Sequence, residues 1–151
     1  MRKAVLIFLS VILLCSCREK EYDVCVYGGT SSGVIAAYTA AKSGLKVVLV
    51  EPTEHIGGMT TGGLGYTDIG NKQVVKGLAK QFYRKIGKHY GALEQWIFEP
   101  TVADSIMRDY LSEENISVLT GHRILSSSML SERISSIIVE QSSSPHKTRE
   151  V

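Results

Sequence analysis

A glycine-rich turn between two short apolar segments constrains the fold of this 151-residue chain more than any other feature. Residues 23–27 and 46–51 each contain the continuous apolar run that is typical of a strand buried on both faces. The turn Gly28-Gly29-Thr30-Ser31-Ser32-Gly33 follows the first of these strands directly. Ten of the 14 glycines lie between positions 28 and 70. That concentration indicates a region whose main chain adopts positive φ or approaches another group closely.

A helix is predicted between the two strands, over residues 32–43. Gly44 stands where a left-handed C-terminal cap belongs. Small side chains recur on one face of this helix and let it lie close to a sheet; they are Gly33, Ala36, Ala37, Ala40 and Ala41. A strand, a glycine turn, a helix and a second strand form a right-handed βαβ unit. The sequence therefore predicts an α/β fold of the Rossmann type with a parallel sheet.

The residue types of this unit favour the binding of a dinucleotide over a purely structural turn. The N-terminus of a helix carries about half a positive charge and free N–H groups, which attract a pyrophosphate. Gly28 permits the tight turn, Gly33 permits close packing of helix and strand, and Glu51 is an acceptor for ribose hydroxyls. Thr30 stands where the usual G-x-G-x-x-G pattern has glycine. Its Cβ is expected to crowd the pyrophosphate, although its hydroxyl can donate a hydrogen bond in exchange.

The segment after Glu51 distinguishes a flavin from a nicotinamide cofactor. The pair Gly57-Gly58 lies in a loop of small residues that has no helix signal. In a nicotinamide-binding domain, a crossover helix usually starts at this point. The pattern therefore favours a flavin dinucleotide, and an NAD(P)-dependent dehydrogenase remains an alternative.

These motifs resemble those of the FAD-dependent oxidoreductase family, which has a glutathione-reductase-like fold, and in particular its bacterial members that are related to heterodisulfide reductase. The motifs that carry the resemblance are Gly28-Gly29-Thr30, Gly33, Glu51-Pro52, His55-Ile56-Gly57-Gly58-Met59-Thr60-Thr61, Phe98-Glu99-Pro100 with Val102-Ala103, and Thr120-Gly121-His122-Arg123. The resemblance implies FAD as the cofactor and an oxidoreductase activity. Family members commonly have Gly-Gly-Thr at the turn, so Thr30 is compatible with this assignment.

The resemblance also implies where FAD binds. The first turn is expected to bind the pyrophosphate, Glu51 the adenosine ribose, and main-chain atoms near Ile124 the adenine. The segment from Gly57 to Met59 is expected to line the path to the flavin, with Thr60 and Thr61 nearby. The implied cofactor-binding residues are Gly28, Gly29, Thr30, Ser31, Ser32, Gly33, Glu51, Pro52, Gly57, Gly58, Met59 and Thr60. No catalytic acid or base is identified.

The first residues resemble the signal of a bacterial lipoprotein. A short positive start precedes an apolar run over residues 4–14, which is too short for a bilayer span of about 20 residues. The run ends in Leu14-Cys15-Ser16-Cys17. The resemblance implies a signal peptide over residues 1–16, a lipid-bearing Cys17 that anchors the exported chain to a membrane of the cell envelope, and a short linker over residues 17–22. An ordinary cleaved signal or a tethering helix is the alternative.

Charge and histidine spacing disfavour two other classes of function. Removing Arg2 and Lys3 with the signal leaves 15 basic and 15 acidic residues, and this neutral balance disfavours nucleic-acid binding. The four histidines, at positions 55, 89, 122 and 146, lack metal-motif spacing, so no metal site is expected. His55 is interpreted as a solvated neighbour of Glu54. Cys25 is expected to be a small core residue without a disulfide.

The remainder of the chain is predicted to be scaffold. Helices are expected over residues 72–88 and from Pro100 onward, and a third parallel strand over residues 116–119. Residues 123–129 and 134–140 are expected to be the first two strands of an antiparallel meander. The resemblance implies a longer chain with a substrate domain, so we expect residues 23–151 to be an incomplete FAD-binding domain that is inactive alone. Its small-molecule substrate is unknown, and an exported, non-catalytic remnant of a flavoenzyme is a further alternative.

Overall fold

The computed structural model describes residues 21–68, 70–113, 115–144 and 147–151. The predicted signal and Cys17 lie outside the described residues. The first part of the chain forms β1 (Val24–Tyr27), α1 (Ser31–Lys42), β2 (Val47–Val50), α2 (Gly77–His89), α3 (Pro100–Tyr110) and β3 (Ile116–Leu119). The second part forms β4 (His122–Leu130), β5 (Arg133–Gln141) and β6 (Thr148–Glu150). Short 3-10 turns span Gly58–Thr60 and Lys72–Val74.

The strands β1, β2 and β3 form a parallel sheet in the order β1-β2-β3. All four residues of β2 are buried, because β2 has a neighbouring strand on each edge and another layer on each face. Val47 and Leu49 pack against the helices, whereas Val48 and Val50 pack against the second sheet. The predicted Rossmann-like α/β fold with a parallel sheet is therefore confirmed.

The strand β1 differs from its prediction because it lies at an edge of the parallel sheet among the described strands. Val24 and Val26 are partly buried and pack against the core, whereas Cys25 and Tyr27 are exposed. Cys25 lines an open groove. The prediction of a strand buried on both faces was wrong for β1, and so was the interpretation of Cys25 as a core residue. A short apolar run does not distinguish an edge strand from a central one.

The helix α1 lies very close to β1. A Cβ on Gly33 would overlap the carbonyl oxygen of Gly28, so only glycine fits at this contact. Ala37 is buried, while Ala36 is exposed, and the stripe of small residues is therefore narrower than predicted. The chain leaves the helix at Gly44, whose φ of 86° is left-handed as expected for a C-terminal glycine.

The helices α2 and α3 pack with α1 around one hydrophobic cluster. Phe82 and Ile86 of α2 and Met107 of α3 are among its buried members. The helix α2 begins at Gly77 and not at residue 72, because the extended chain before Gly77 and its φ of 59° interrupt the predicted helix. Val74 therefore lies in a separate turn and is exposed, contrary to its predicted place on the apolar face.

The strands β4, β5 and β6 form an antiparallel sheet in that order. Ile137 and Val139 of β5 pack against Val48 and Val50 of β2. Since alternate residues of a strand face opposite sides, the antiparallel sheet covers the face of the parallel sheet that the helices leave free. The predicted meander is confirmed, and its third strand is β6.

Candidate dinucleotide site

The first glycine turn follows β1 and leads directly into α1. The Gly28 amide donates a hydrogen bond to the carbonyl oxygen of Val50 at 2.8 Å, which fixes the start of the turn to β2. The φ of Gly28 is 104°, a value that favours glycine. A Cβ on Gly28 would have no other atom within 4 Å. The turn therefore borders open space at the carboxyl ends of the parallel strands, which is where ligands bind to open α/β sheets.

Thr30 caps the N-terminus of α1. Its hydroxyl accepts a hydrogen bond from the Gly33 amide at 3.2 Å and lies 3.0 Å from the hydroxyl of Ser32. The amides of Thr30 and Ser32 donate no hydrogen bond to another described residue. N–H groups at the start of a helix attract anionic oxygens. The Thr30 side chain packs beside Gly58, where a Cβ would lie only 3.4 Å from it.

Glu51 follows β2 and accepts three hydrogen bonds from the protein. Its Oε2 accepts from the Gly29 amide at 2.7 Å. Its Oε1 accepts from the Thr53 amide at 2.8 Å and from the Thr53 hydroxyl at 2.7 Å. The residue is only 9% exposed. Because a carboxylate offers about four acceptor positions, the side chain is fixed in orientation and can still accept from one further donor.

The pKa of the Glu51 carboxyl lies below its ordinary value. Burial alone would raise this pKa, because it disfavours the charged form. The hydrogen bonds from Thr53 and Gly29, together with the nearby His55, outweigh the effect of burial. Glu51 is therefore a charged acceptor, which suits the binding of ribose hydroxyls.

A second glycine segment, residues 56–61, lies against the first turn. The Gly57 amide donates to the carbonyl oxygen of Gly29 at 2.6 Å. The Ser31 hydroxyl lies 2.7 Å from the carbonyl oxygen of Gly57 and 2.6 Å from the hydroxyl of Thr60. Main-chain and side-chain contacts thus join the two glycine segments, although 26 positions separate Ser31 from Gly57.

The second glycine segment offers both polar and apolar groups to a ligand. The amides of Gly58 and Met59 donate no hydrogen bond within the part of the chain that the structure describes. The φ of Gly58 is 57°, and the side chain of Met59 lies in solvent, with the residue 79% exposed. This combination suits a ring system that has apolar faces and a polar edge.

Most of the predicted cofactor-binding residues meet in one continuous site. The first turn, Glu51 and the second glycine segment are joined by the hydrogen bonds described above. Pro52 and Ile124 lie at the margin: the carbonyl oxygen of Pro52 accepts from the hydroxyl of Ser142 at 2.8 Å, and Ile124 packs against the cluster between the two sheets. That these residues bind a cofactor remains a prediction.

His55 and Glu54 point to different parts of the site. The Nε2 atom of His55 lies 3.0 Å from the carbonyl oxygen of Gly58 and 3.0 Å from the hydroxyl of Thr61. The carboxylate of Glu54 instead accepts from the Thr120 hydroxyl at 2.6 Å. His55 is exposed, as expected, but its ring contacts the second glycine segment. Among residues 21–68, 70–113, 115–144 and 147–151, no cluster of three His, Cys, Asp or Glu residues has the geometry of a metal site.

The positioning roles of two threonines were not predicted from the sequence, which placed Thr61 near the path to the flavin and gave Thr53 no role. Thr53 fixes Glu51, and Thr61 is a buried residue whose hydroxyl donates to the carbonyl oxygen of Ile56. A hydroxyl residue two positions after an acid at a strand end is a usable signal for Thr53, because such side chains bond to nearby groups in turns. No comparable local signal marks Thr61.

Comparison with known families agrees with this geometry. The family model described as FAD dependent oxidoreductase matches residues 23–150. The chain is 44% identical over 57 residues to a 3-oxosteroid 1-dehydrogenase of Mycolicibacterium smegmatis, which is 38% of this chain and 10% of that protein. It is 38% identical over 87 residues to a thiamine thiazole synthase of Pyrococcus horikoshii, which is 57% of this chain and 32% of that protein. The chain thus spans a third or less of these curated relatives.

Solved structures show the same fold at low sequence identity. THI4 of Thermovibrio ammonificans superimposes with a TM-score of 0.60 at 16% identity, over 99% of this chain and 59% of that one. Glycerol-3-phosphate dehydrogenase of Bacillus halodurans, solved in complex with FAD, gives a TM-score of 0.59 at 14% identity, over 88% of this chain and 33% of that one. At such identities the likeness supports the fold assignment alone.

Proposed function

Because the chain belongs to the FAD-dependent oxidoreductase family, we propose that it is the FAD-binding part of an enzyme that transfers electrons through the flavin. FAD is the cofactor of this family, so the predicted cofactor is confirmed. The observation that carries the proposal is the Glu51 carboxylate, fixed 2.7 Å from the Gly29 amide beside the open turn. An acid in this place, next to free helix amides, is what an adenosine diphosphate group requires.

The residues present fit FAD at three points. The free amides of Thr30 and Ser32 would hold the pyrophosphate, and Glu51 would hold the adenosine ribose. The second glycine segment would lie along the path to the flavin. FAD supplies the redox chemistry when it is bound, and the protein supplies binding and orientation. This chain thus contributes the charged carboxylate of Glu51 and main-chain N–H groups without an acceptor among the described residues, which are in position before FAD binds.

Titration of the purified chain with three nucleotides tests this proposal. We expect FAD to bind, as measured by the quenching of flavin fluorescence, and FMN to bind much more weakly because FMN lacks the adenosine half. Binding of NADH in preference to FAD would favour the nicotinamide-dependent alternative. If none of the three nucleotides binds, the result would favour the alternative of a non-catalytic remnant.

The N-terminal sequence supports a second, finer part of the proposal, namely that the protein is a lipoprotein of the cell envelope. The supporting feature is Leu14-Cys15-Ser16-Cys17 after an apolar run. Over the described residues, the structure contains no helix with the length and apolar character of a membrane span. We expect Cys17→Ala to abolish labelling by a radioactive fatty acid in a bacterial host, and Cys15→Ala to retain it. Equal labelling of the two variants would contradict the assignment of Cys17.

A further inference from the structure

We propose that Thr61 is a positioning residue whose buried hydroxyl holds the second glycine segment in the shape that receives FAD. The inference rests on the proposed function and goes beyond it, because Thr61 itself is not among the residues expected to bind the cofactor. Thr61 is only 6% exposed, so its hydroxyl acts on the protein and not on solvent.

The Thr61 hydroxyl makes contacts that close the segment on itself. It donates its single hydrogen to the carbonyl oxygen of Ile56. Its lone pairs are then available to the Nε2 atom of His55, which lies 3.0 Å away. The same Nε2 lies 3.0 Å from the carbonyl oxygen of Gly58. This pattern assigns the ring hydrogen to Nε2, because a carbonyl oxygen can only accept.

The side chain of Thr61 also explains why position 57 is glycine. The φ of Gly57 is 95°, and a Cβ there would lie 2.6 Å from the Thr61 hydroxyl. Thr61 therefore fills the space that a side chain at position 57 would need. A polar contact and close packing together hold the chain between Ile56 and Thr61 in one conformation.

The first turn holds the same segment from its other side. The Gly57 amide donates to Gly29, and the Ser31 hydroxyl contacts both Gly57 and Thr60. The contacts of the Gly57 amide and of Ser31 thus fix the spacing between the two glycine segments, whereas Thr61 fixes the shape of the second segment. A dinucleotide that runs from the first turn to the second needs that spacing. If the segment is not fixed beforehand, ordering it costs binding free energy.

Two substitutions at position 61 distinguish the contribution of the hydroxyl from that of side-chain packing. Thr61→Val keeps the shape and removes the hydroxyl, whereas Thr61→Ser keeps the hydroxyl. We expect Thr61→Val to raise the FAD dissociation constant about tenfold, as for one lost buried hydrogen bond, and Thr61→Ser to restore affinity to near the wild-type value. Thr39→Val is the matched control, because the Thr39 hydroxyl also donates to a carbonyl oxygen, that of Ile35, but lies further along α1.

Hydrogen exchange of the FAD-free protein gives a readout that does not depend on FAD. We expect the hydrogen-bonded amides of this segment, those of Gly57, Thr61 and Gly62, to exchange faster in Thr61→Val than in the wild type, and at the wild-type rate in Thr39→Val. A purely structural role for Thr61 would lower the free energy of unfolding and leave the FAD dissociation constant unchanged, and that result would overturn the proposal. So would unchanged exchange in the segment.

Failure of the proposed function is distinguishable from failure of this inference. If the wild-type chain does not bind FAD, the proposed function is wrong, whereas exchange in residues 57–62 still tests the role of Thr61. If Thr61→Val does not fold, His55→Phe takes its place, because it removes the side chain that contacts the hydroxyl, at an exposed position. Unchanged exchange and FAD affinity in His55→Phe would then contradict the proposal.

Discussion

At the scale of single residues, the site depends on a carboxylate whose charge and direction are set by its neighbours. Thr53 and Gly29 donate to Glu51 from two sides. Each donor belongs to the segment that would surround the ligand, so the acid and its surroundings form together when the chain folds. A group that is already oriented loses little entropy when a ligand binds.

Replacement of the acid tests its predicted role directly. Glu51→Gln exchanges one acceptor oxygen for a donor and removes the charge. We expect the FAD dissociation constant to rise roughly ten- to a hundredfold, because hydrogen bonds to charged groups contribute more than neutral ones. Fluorescence titration measures this change, with Glu132→Gln as an exposed control. An unchanged affinity in Glu51→Gln would show that the acid does not contact the cofactor.

The lowered pKa of Glu51 predicts how stability depends on pH. The unfolded chain binds a proton at Glu51 more readily than the folded chain does, so the free energy of unfolding rises with pH over this range. The contribution is complete above the unfolded pKa and is lost as the pH falls through the lower, folded pKa. Urea unfolding across the acidic range should therefore show a steeper loss of stability in the wild type than in Glu51→Gln. Parallel curves would contradict the assignment.

Alanine variants at two glycines with left-handed backbones distinguish the effect of backbone strain on stability from an effect on FAD binding. Gly28 and Gly44 have φ values of 104° and 86°, and a Cβ at either position would have no other atom within 4 Å. Alanine at either position should lower the free energy of unfolding by about 1–2 kcal/mol. Only Gly28→Ala should also weaken FAD binding, because its methyl group enters the open space beside the first turn. Equal affinities in the two variants would place the cofactor elsewhere.

At the scale of secondary-structure elements, local sequence patterns predicted which helices and strands form. They did not predict how deeply each element is buried or which residues it contacts. The unit of β1, α1 and β2 was predictable because glycine, small residues and an acid each occupy a position that the unit requires. The exposure of Cys25 was not, since burial of a strand depends on which strands lie beside it. The start of α2 was missed because the periodicity of Val74 and Val75 continues across Gly77, where the backbone does not. Thr61 was placed near the path to the flavin, but its positioning role was not predicted, because its partners are fixed by the folded loop alone.

Because α1 lies in close contact with the end of β1, one added methyl group at this contact should lower the free energy of unfolding substantially. A Cβ on Gly33 would overlap the carbonyl oxygen of Gly28, which is main chain and cannot rotate away. We expect Gly33→Ala to lower the free energy of unfolding by about 2–3 kcal/mol, as in other overpacked contacts. Ala36→Leu, on the exposed side of the same helix, should change it by less than about 0.5 kcal/mol. Denaturant unfolding of both variants provides the comparison, and equal effects would show that the contact is not tight.

At the scale of the whole molecule, the main chain of Glu51 joins the site to both sheets. Its amide donates to Leu119 at the end of β3 at 2.9 Å, and its carbonyl oxygen accepts from His122 at the start of β4 at 3.0 Å. The acid therefore lies where the parallel sheet ends and the antiparallel sheet begins. Among the residues that the structure describes, the hydrogen bonds that fix its carboxylate come, in contrast, only from the first turn and from Thr53. Stability of the sheet packing and affinity for the cofactor should thus be separable.

Val139→Ala tests that separation. Val139 is fully buried between the two sheets, against Val48 and Val50, and its truncation should lower the free energy of unfolding by about 2 kcal/mol. We expect the FAD dissociation constant to stay within about threefold of the wild type, a difference of under 1 kcal/mol. FAD at a hundred times that constant should then stabilise both proteins by about 2.7 kcal/mol. Ile134→Ala, at a position that is 61% exposed, is the control for loss of an aliphatic side chain. If affinity falls together with stability in Val139→Ala, the packing of the second sheet shapes the site, because the segment that follows β2 and carries Glu51 then depends on both layers.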